Sequence, residues 1–324
     1  MPKGSGNSLF AVTAYFNPMG YKRRLVAYRE FRKRLNVPLV CVELGYGNAY
    51  ELSEDDAEVL VQIPGEHVLW QKERLLNRAL EVLPRDCEYV AWLDCDIAFL
   101  RRDWAAATAL ELQRFPVVQP FVMIHHAPPQ CFDPAQAQFA RGTRSYNSFS
   151  LLMAQGVLPA RVFSTSGCHQ EFGYWPGAAW AARRDLVEEI GLYDTCILGG
   201  GDKAMAAAAY GRLDELTFGL DMSPGHARHY RAWARRFAHR VRGRVGFVEG
   251  ELIHFWHGEL PARKYATRYA DFARFGFDPE LDVTIDSAGA WRWNSTKWEM
   301  HRFVENYFRE RQEDGEKRRG VSSA

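Results

Sequence analysis

Apolar and polar positions along the chain alternate between short β-type runs and helical ones. Leu9–Tyr15 (LFAVTAY) is an unbroken apolar, β-favouring run, and the Asn17-Pro18-Met19-Gly20 cluster behind it is turn chemistry. From Tyr21 to Leu35, the residues Tyr21, Leu25, Phe31 and Leu35 recur at helical spacing with basic residues on the remaining surface, which predicts an amphipathic helix. Leu39–Leu44 and Glu58–Ile63 read as two further strands, the second closed by Pro64-Gly65. A second helix, Trp70–Leu83, places Leu76, Ala79, Leu80 and Leu83 on one face and leads into the apolar strand Tyr89–Leu93.

A helix over Trp104–Phe115 and a strand over Val117–Phe121 follow, and then an irregular stretch, His125–Pro176, rich in Pro, Gln, Ser and Gly, that reads as a flexible insertion. Beyond it the pattern predicts an amphipathic piece through Ile190 and a glycine run, Gly199-Gly200-Gly201. An alanine-rich helix over Lys203–Tyr210, a late strand over Leu252–Trp256 and closing helices over Ala262–Phe275 and Lys297–Arg311 complete the pattern. Strands alternating with helices argue for an α/β fold, a Rossmann-like, mostly parallel sheet flanked by helices, with a C-terminal helical extension. Residues 1–258 read as the α/β catalytic domain and 259–324 as the extension with a fraying tail.

Composition narrows the classes. Of 324 residues, 47% are hydrophobic and 25% charged, and Lys+Arg 41 against Asp+Glu 40 leaves a net charge of +1, which excludes disorder, collagen and coiled coil. The six cysteines show no metal-ligand or CxxC spacing and read as reduced thiols of a cytoplasmic protein. The polar, glycine-rich start lacks a signal-peptide pattern, and no apolar run approaches the ~20 residues that span a bilayer.

Three places carry chemistry. Open α/β sheets bind ligands beyond the carboxyl ends of their strands, and the strand ending at Leu93 runs into Asp94-Cys95-Asp96 there. Residues i and i+2 of extended chain share a side, so both carboxylates can converge on one cation, or on a cation and a ribose hydroxyl. His254 or His257, in the IHFWHG stretch, would add a third ligand, and Gly258 would let a backbone amide approach phosphate. Asp202, directly after the glycine run at a helix start, reads either as a helix cap or as a carboxylate able to take a proton from an acceptor hydroxyl.

LDCD after an apolar strand, GYWPGAAWAARRDLVEEIGLYDTCILGGGDKAM and IHFWHG together resemble the nucleotide-sugar glycosyltransferases of the glycosyltransferase-A fold, especially the inverting branch, over roughly Leu9 to Gly258. The resemblance implies Asp96 as a direct metal ligand, Asp94 on metal or ribose, Asp202 as general base and His254 or His257 closing the metal site. It also implies Mn²⁺ or Mg²⁺ as cofactor and a nucleotide-sugar donor, UDP-sugar favoured. The chain departs from it at the base, where Gly201-Asp202 stands in place of Glu-Asp or Glu-Asn, and Glu43 is the nearby acid for nucleobase contact. Thr13, Tyr15 and Asn17 at the first strand end, with Lys72 and Asn77 on the second helix, are further candidates for nucleotide contact.

From Met222 to Val248 no acidic residue occurs, while Arg228, Arg231, Arg235, Arg236 and Arg240 are interleaved with aromatic residues, which fits contact with a polyanion as well as a solvated helix face. The segment Ile253–Asp314 also resembles glycosyltransferase-like proteins of bacteria and tailed phages. That resemblance sets a hydroxymethylated base in DNA beside a glycan as acceptor. A metal-dependent nucleotidyltransferase and a non-catalytic nucleic-acid-binding protein are the alternative readings.

Overall fold

The computed structural model describes residues 9–47, 49–129, 131–157, 162–163 and 173–315. Its main sheet begins as the pattern predicts: β1 (Leu9–Phe16), α1 (Lys22–Arg34), β2 (Leu39–Tyr46), β3 (Val59–Gly65), α2 (Lys72–Glu81) and β4 (Tyr89–Leu93). Later strands are β5 (Ile97–Phe99), β6 (Val117–Gln119), β7 (Met123–His126), β8 (Arg144–Ser148), β9 (Tyr174–Trp175), β10 (Ala179–Arg183), β11 (Val245–Phe247) and β12 (Glu251–His254). Seven strands pair in the order β11-β6-β10-β4-β1-β2-β3, parallel throughout except for β10, which runs antiparallel between β4 and β6.

Both faces of this sheet are covered, which is why its strands read as continuous apolar runs rather than alternating ones. Val12, Ala14 and Phe16 of β1 join one core with Val40, Val42 and Leu44 of β2, against α2 and the helices Arg184–Ile190 and Gly201–Ala209. Leu9, Ala11 and Tyr15 point the other way, into a core shared with Tyr28 and Phe31 of α1 and Trp104 and Leu112 of the helix Trp104–Leu112.

The segment expected to be irregular is corrected in part. His125 and His126 lie in β7, and β8, the helix Phe149–Ala154 and β9 follow, so that β5-β12-β7-β8-β9 form a second sheet. Strands of two to five residues in mixed directions leave too little periodicity to read. Residues 158–161 and 164–172 of the same stretch, Cys168 among them, lie outside the described residues.

The closing helices are also adjusted. Ala262–Phe275 is not one helix: a short 3-10 turn, Leu260–Arg263, stops at Lys264 in left-handed backbone (φ +46°), and a helix resumes over Arg268–Ala273. The last helix, Trp298–Glu310, packs Phe308 against Phe16 and Trp70, and Tyr21 Oη donates to the carbonyls of Phe308 and Arg309. This brings the last helix to the carboxyl end of β1. Among the described residues no helix is long and apolar enough to cross a membrane. The cysteines Cys41, Cys87, Cys95, Cys131 and Cys196 are free thiols.

Candidate active site

A cavity opens at the carboxyl ends of β1 and β4, walled by Ala14, Phe16, Leu93 and Asp94-Cys95-Asp96, by the Gly199-Gly200 turn, and by residues from beyond Gly258. After Asp96 the chain turns back into β5, whose antiparallel partner β12 sets His254 opposite Ile97, and Phe255 N–H donates to the Asp96 carbonyl. The two histidines of IHFWHG are thereby laid against Asp96. His257 Nε2 lies 2.9 Å from Asp96 Oδ2 and His254 Nε2 lies 3.6 Å from Oδ1.

These three residues form a group able to hold a metal ion, and a fourth observation fits one. Asp96 Oδ1 is buried with no hydrogen-bond partner, His254 Nε2 standing 3.6 Å away, beyond hydrogen-bond reach. Ligand atoms about 3 Å apart match neighbouring positions around a cation with bonds of about 2.1 Å. Burial drives the His254 imidazole down to about 3, so it is neutral and its lone pair is free to ligate. Burial pushes the Asp96 carboxyl up, but His254, His257 and Arg24 outweigh that and hold it well below the usual carboxylate range. Both histidines converge, where the sequence predicted one or the other.

Asp94 is placed differently from the expectation that put it on the metal or a ribose. Its Oδ1 pairs with Lys72 Nζ at 2.6 Å, and the same ammonium pairs with Asp202 Oδ2 at 2.7 Å. The reason lies in α2, whose first residue is Lys72: the buried N-terminus of this helix points its side chain between the two carboxylates. Burial would lower Lys72, yet Asp202 and Asp94 hold it well above its ordinary value, while burial lifts Asp94 to about 6 against the pull of Lys72. Asp202 is not a helix cap. The helix Gly201–Ala209 starts one residue earlier, behind Gly200 in left-handed backbone (φ +104°), which sets Asp202 in its first turn at the cavity wall.

The other nucleotide-contact candidates are engaged within the protein and do not line this cavity. Thr13 Oγ1 donates to the Leu93 carbonyl, tying β1 to β4. Tyr15 Oη and Asn17 Nδ2 both donate to Glu51. Glu43, 1% exposed, accepts from the Glu51 and Leu52 amides and from Gln62, fixing the loop after β2. Asn77 exchanges hydrogen bonds with the backbone of Leu192, and Gly258 (φ +92°) sits against the backbone of Arg311 and Glu313.

Sequence reasoning missed the basic and aromatic wall. Arg24 of α1 and Arg311 after the last helix both grip Glu313, 2% exposed, at 2.9 and 2.6 Å, and Glu313 Oε1 stands 3.7 Å behind His257 Nδ1. Burial pushes the Glu313 carboxyl up, but Arg24 and Arg311 hold it well below its ordinary value. A carboxylate behind a histidine selects the tautomer whose far nitrogen faces a metal. Arg263 Nη2 reaches within 3.0 Å of His257 Nε2. Trp70, Trp175, Tyr265, Arg268 and Tyr269 complete the lining. The single legible signal was the density of Arg and aromatic residues after Gly258.

The arginine row lies on the helix Pro224–Val241, and its charge is answered from elsewhere in the chain. Arg228 pairs with Asp278 and Glu280, Arg231 with Asp214, and Arg240 with Asp185 and Glu189, while Arg236 donates to the Glu189 carbonyl. Arg235 is exposed.

No protein-family model and no curated protein matches the sequence. Solved structures do match. Glucosyl-3-phosphoglycerate synthase from Mycobacterium tuberculosis, in complex with Mn²⁺, UDP and glucosyl-3-phosphoglycerate, aligns over 90% of this chain and 89% of its own at 13% identity and a TM-score of 0.40. The mannosyltransferase PcManGT from Pyrobaculum calidifontis, with GDP-Man and Mn²⁺, aligns over 84% and 62% at 14% identity and 0.41. S. aureus TarS 1-349 with UDP-GlcNAc aligns over 72% of each chain at 9% identity and 0.35. Likenesses this distant assign no family, and the chemistry has to be read from the cavity's own residues.

Proposed function

We propose that this chain is a divalent-metal-dependent glycosyltransferase that moves a hexose-type sugar from a nucleoside-diphosphate sugar, a UDP-sugar first among the donors, to a hydroxyl acceptor with inversion. The observation that carries the reading is a convergence in one cavity: an Asp96–His254–His257 group suited to a cation on one wall, and a lysine-held carboxylate, Asp202, in the first turn of a helix on another. The resemblance of the DCD, GGGD and IHFWHG stretches to glycosyltransferases supports the same reading.

A cation held by the triad would neutralise the charge that develops on the leaving diphosphate. Two imidazoles and one carboxylate favour Mn²⁺ over Mg²⁺, which prefers an all-oxygen shell. The Asp202 carboxylate takes the proton of the acceptor hydroxyl as its oxygen attacks the anomeric carbon, and the bond from that carbon to the diphosphate oxygen breaks, its electron pair leaving with the diphosphate. Lys72 positions Asp202, and Asp94 fixes Lys72 from the other side. Arg263, beside His257, is placed to meet a diphosphate bound to that cation.

A glycan is the acceptor we favour over a hydroxymethylated DNA base, because four of the five row arginines already answer partners within the chain. The free thiols fit a cytoplasmic protein. The test is donor hydrolysis: Mn²⁺ and a panel of nucleotide sugars, without acceptor, with released nucleoside diphosphate assayed. Release from one donor, abolished by chelator and by Asp96→Ala, is the expected result. Pyrophosphate released from a nucleoside triphosphate would favour nucleotidyl transfer instead. Absence of both release and nucleotide-dependent thermal shift would overturn the reading in favour of nucleic-acid binding.

A further inference from the structure

We propose that the cavity contains a second anion site, distinct from that of the donor diphosphate, formed by Arg268 and the N-terminus of the helix Gly201–Ala209, so that the acceptor carries a phosphate or carboxylate close to the hydroxyl it offers. The proposal rests on the glycosyl-transfer reading for the word acceptor. The anion site itself rests on Arg268.

Three of the cations around the cavity are matched by carboxylates. Lys72 answers Asp94 and Asp202, Arg24 and Arg311 answer Glu313, and Arg263 is turned toward His257 on the metal side. Arg268 is 7% exposed and lines the cavity, yet its polar neighbours among the described residues are tyrosines rather than carboxylates. Its Nη1 donates to Tyr307 Oη at 2.6 Å, its guanidinium carbon lies 4.8 to 5.7 Å from the ring centroids of Tyr265, Tyr269 and Tyr307, and its Nε is buried with no hydrogen-bond partner. A guanidinium buried in this way is held in place and left without a counter-ion, an arrangement that favours an anionic ligand.

The remaining nitrogen shows where that ligand sits. Arg268 Nη2 faces the Gly199-Gly200 turn so closely that a Cβ at either glycine would stand 3.5 or 3.8 Å from it. Directly after that turn the helix Gly201–Ala209 begins, and its first-turn amides have no acceptor within the helix. A planar fork of donors and a helix N-terminus facing one space both favour an oxyanion. The Gly199-Gly200 turn stands two residues before Asp202, the proposed base, in the same cavity as the Asp96–His254–His257 group, and on that ground the oxyanion is assigned to the molecule whose hydroxyl is deprotonated.

Inorganic phosphate is the probe, titrated by calorimetry into the full-length protein with and without saturating UDP and Mn²⁺. Phosphate that binds alongside UDP and Mn²⁺ supports the proposal, and phosphate displaced by UDP overturns it, because the anion then occupies the donor site. Arg268→Gln is expected to weaken phosphate by about tenfold or more, and Arg268→Lys to restore part of the loss through charge without the fork. Unchanged phosphate affinity in Arg268→Gln overturns the proposal. Should that variant fail to fold, the displacement measurement on the wild type decides alone. If UDP and Mn²⁺ do not bind at all, the transfer reading fails, and the comparison of wild type with Arg268→Gln still decides the anion site. Once the donor is known, acceptors bearing phosphate or carboxylate beside a hydroxyl should exceed their neutral parents about tenfold or more in kcat/KM.

Discussion

At the scale of single residues the site divides into two neighbouring groups with separate tasks. Asp202 is held by Lys72 and lies outside the group suited to a metal, so Asp202→Asn is expected to cut turnover by about 10²- to 10⁴-fold while nucleotide and Mn²⁺ binding, read by calorimetry, stay within error of wild type. Next to Lys72, burial pushes the Glu73 carboxyl up to about 8 from its ordinary 4.5, with Lys72 opposing and Asp202 adding to the rise. A carboxyl that holds its proton more tightly folded than unfolded loses stability as pH climbs from about 4.5 through about 8. Glu73→Gln lacks that loss. Its Tm should match wild type near pH 4 and exceed it increasingly up to pH 8, and a constant difference across that range would contradict the assignment. That Asp96 and Asp202 line one cavity could be anticipated from their places after a strand and a glycine run. That Thr13, Glu43 and Asn77 serve the backbone could not, because a polar side chain's partners depend on strands and loops far off in sequence.

Among the elements, the legible ones are those with a full period. The β1–α1–β2–β3–α2–β4 opening reads directly because its strands are predominantly apolar runs and each helix shows its stripe. The second sheet was hidden because its strands are short and drawn from places as distant as Ile97 and His254. The helix Gly201–Ala209 makes a demanding contact: a Cβ at Gly201 would collide with the Glu73 carboxyl of α2. Glycine is therefore required there for approach rather than for backbone freedom, and Gly201→Ala should cost about 1–3 kcal/mol in chemical denaturation. A neutral result would mean that the two helices can move apart.

At the scale of the whole molecule, the segment just after the last helix reaches back to the opening of the chain. Arg311 lines the cavity, and Glu313 beside it pairs with Arg24 of α1, nearly three hundred residues away in sequence, so the segment after Gly258 furnishes part of the site's wall. Neither composition nor periodicity could show that, since it depends on where the last helix docks. Glu313→Gln removes the carboxylate behind His257 and should lower Mn²⁺ affinity by about 10- to 100-fold with the folded chain retained, as judged by circular dichroism.

The same cavity contains two indoles of very different setting. Of the ten tryptophans, Trp70 and Trp175 line it, and the Trp70 Nε1–H is buried without a partner beneath the Arg311 guanidinium. Indole emission responds to exchange of water for charge within a few ångströms. The protein therefore comes with an internal optical gauge: ligand entering the cavity changes the light from two of its ten emitters, and occupancy can be followed without a label, a radioactive donor or a known acceptor.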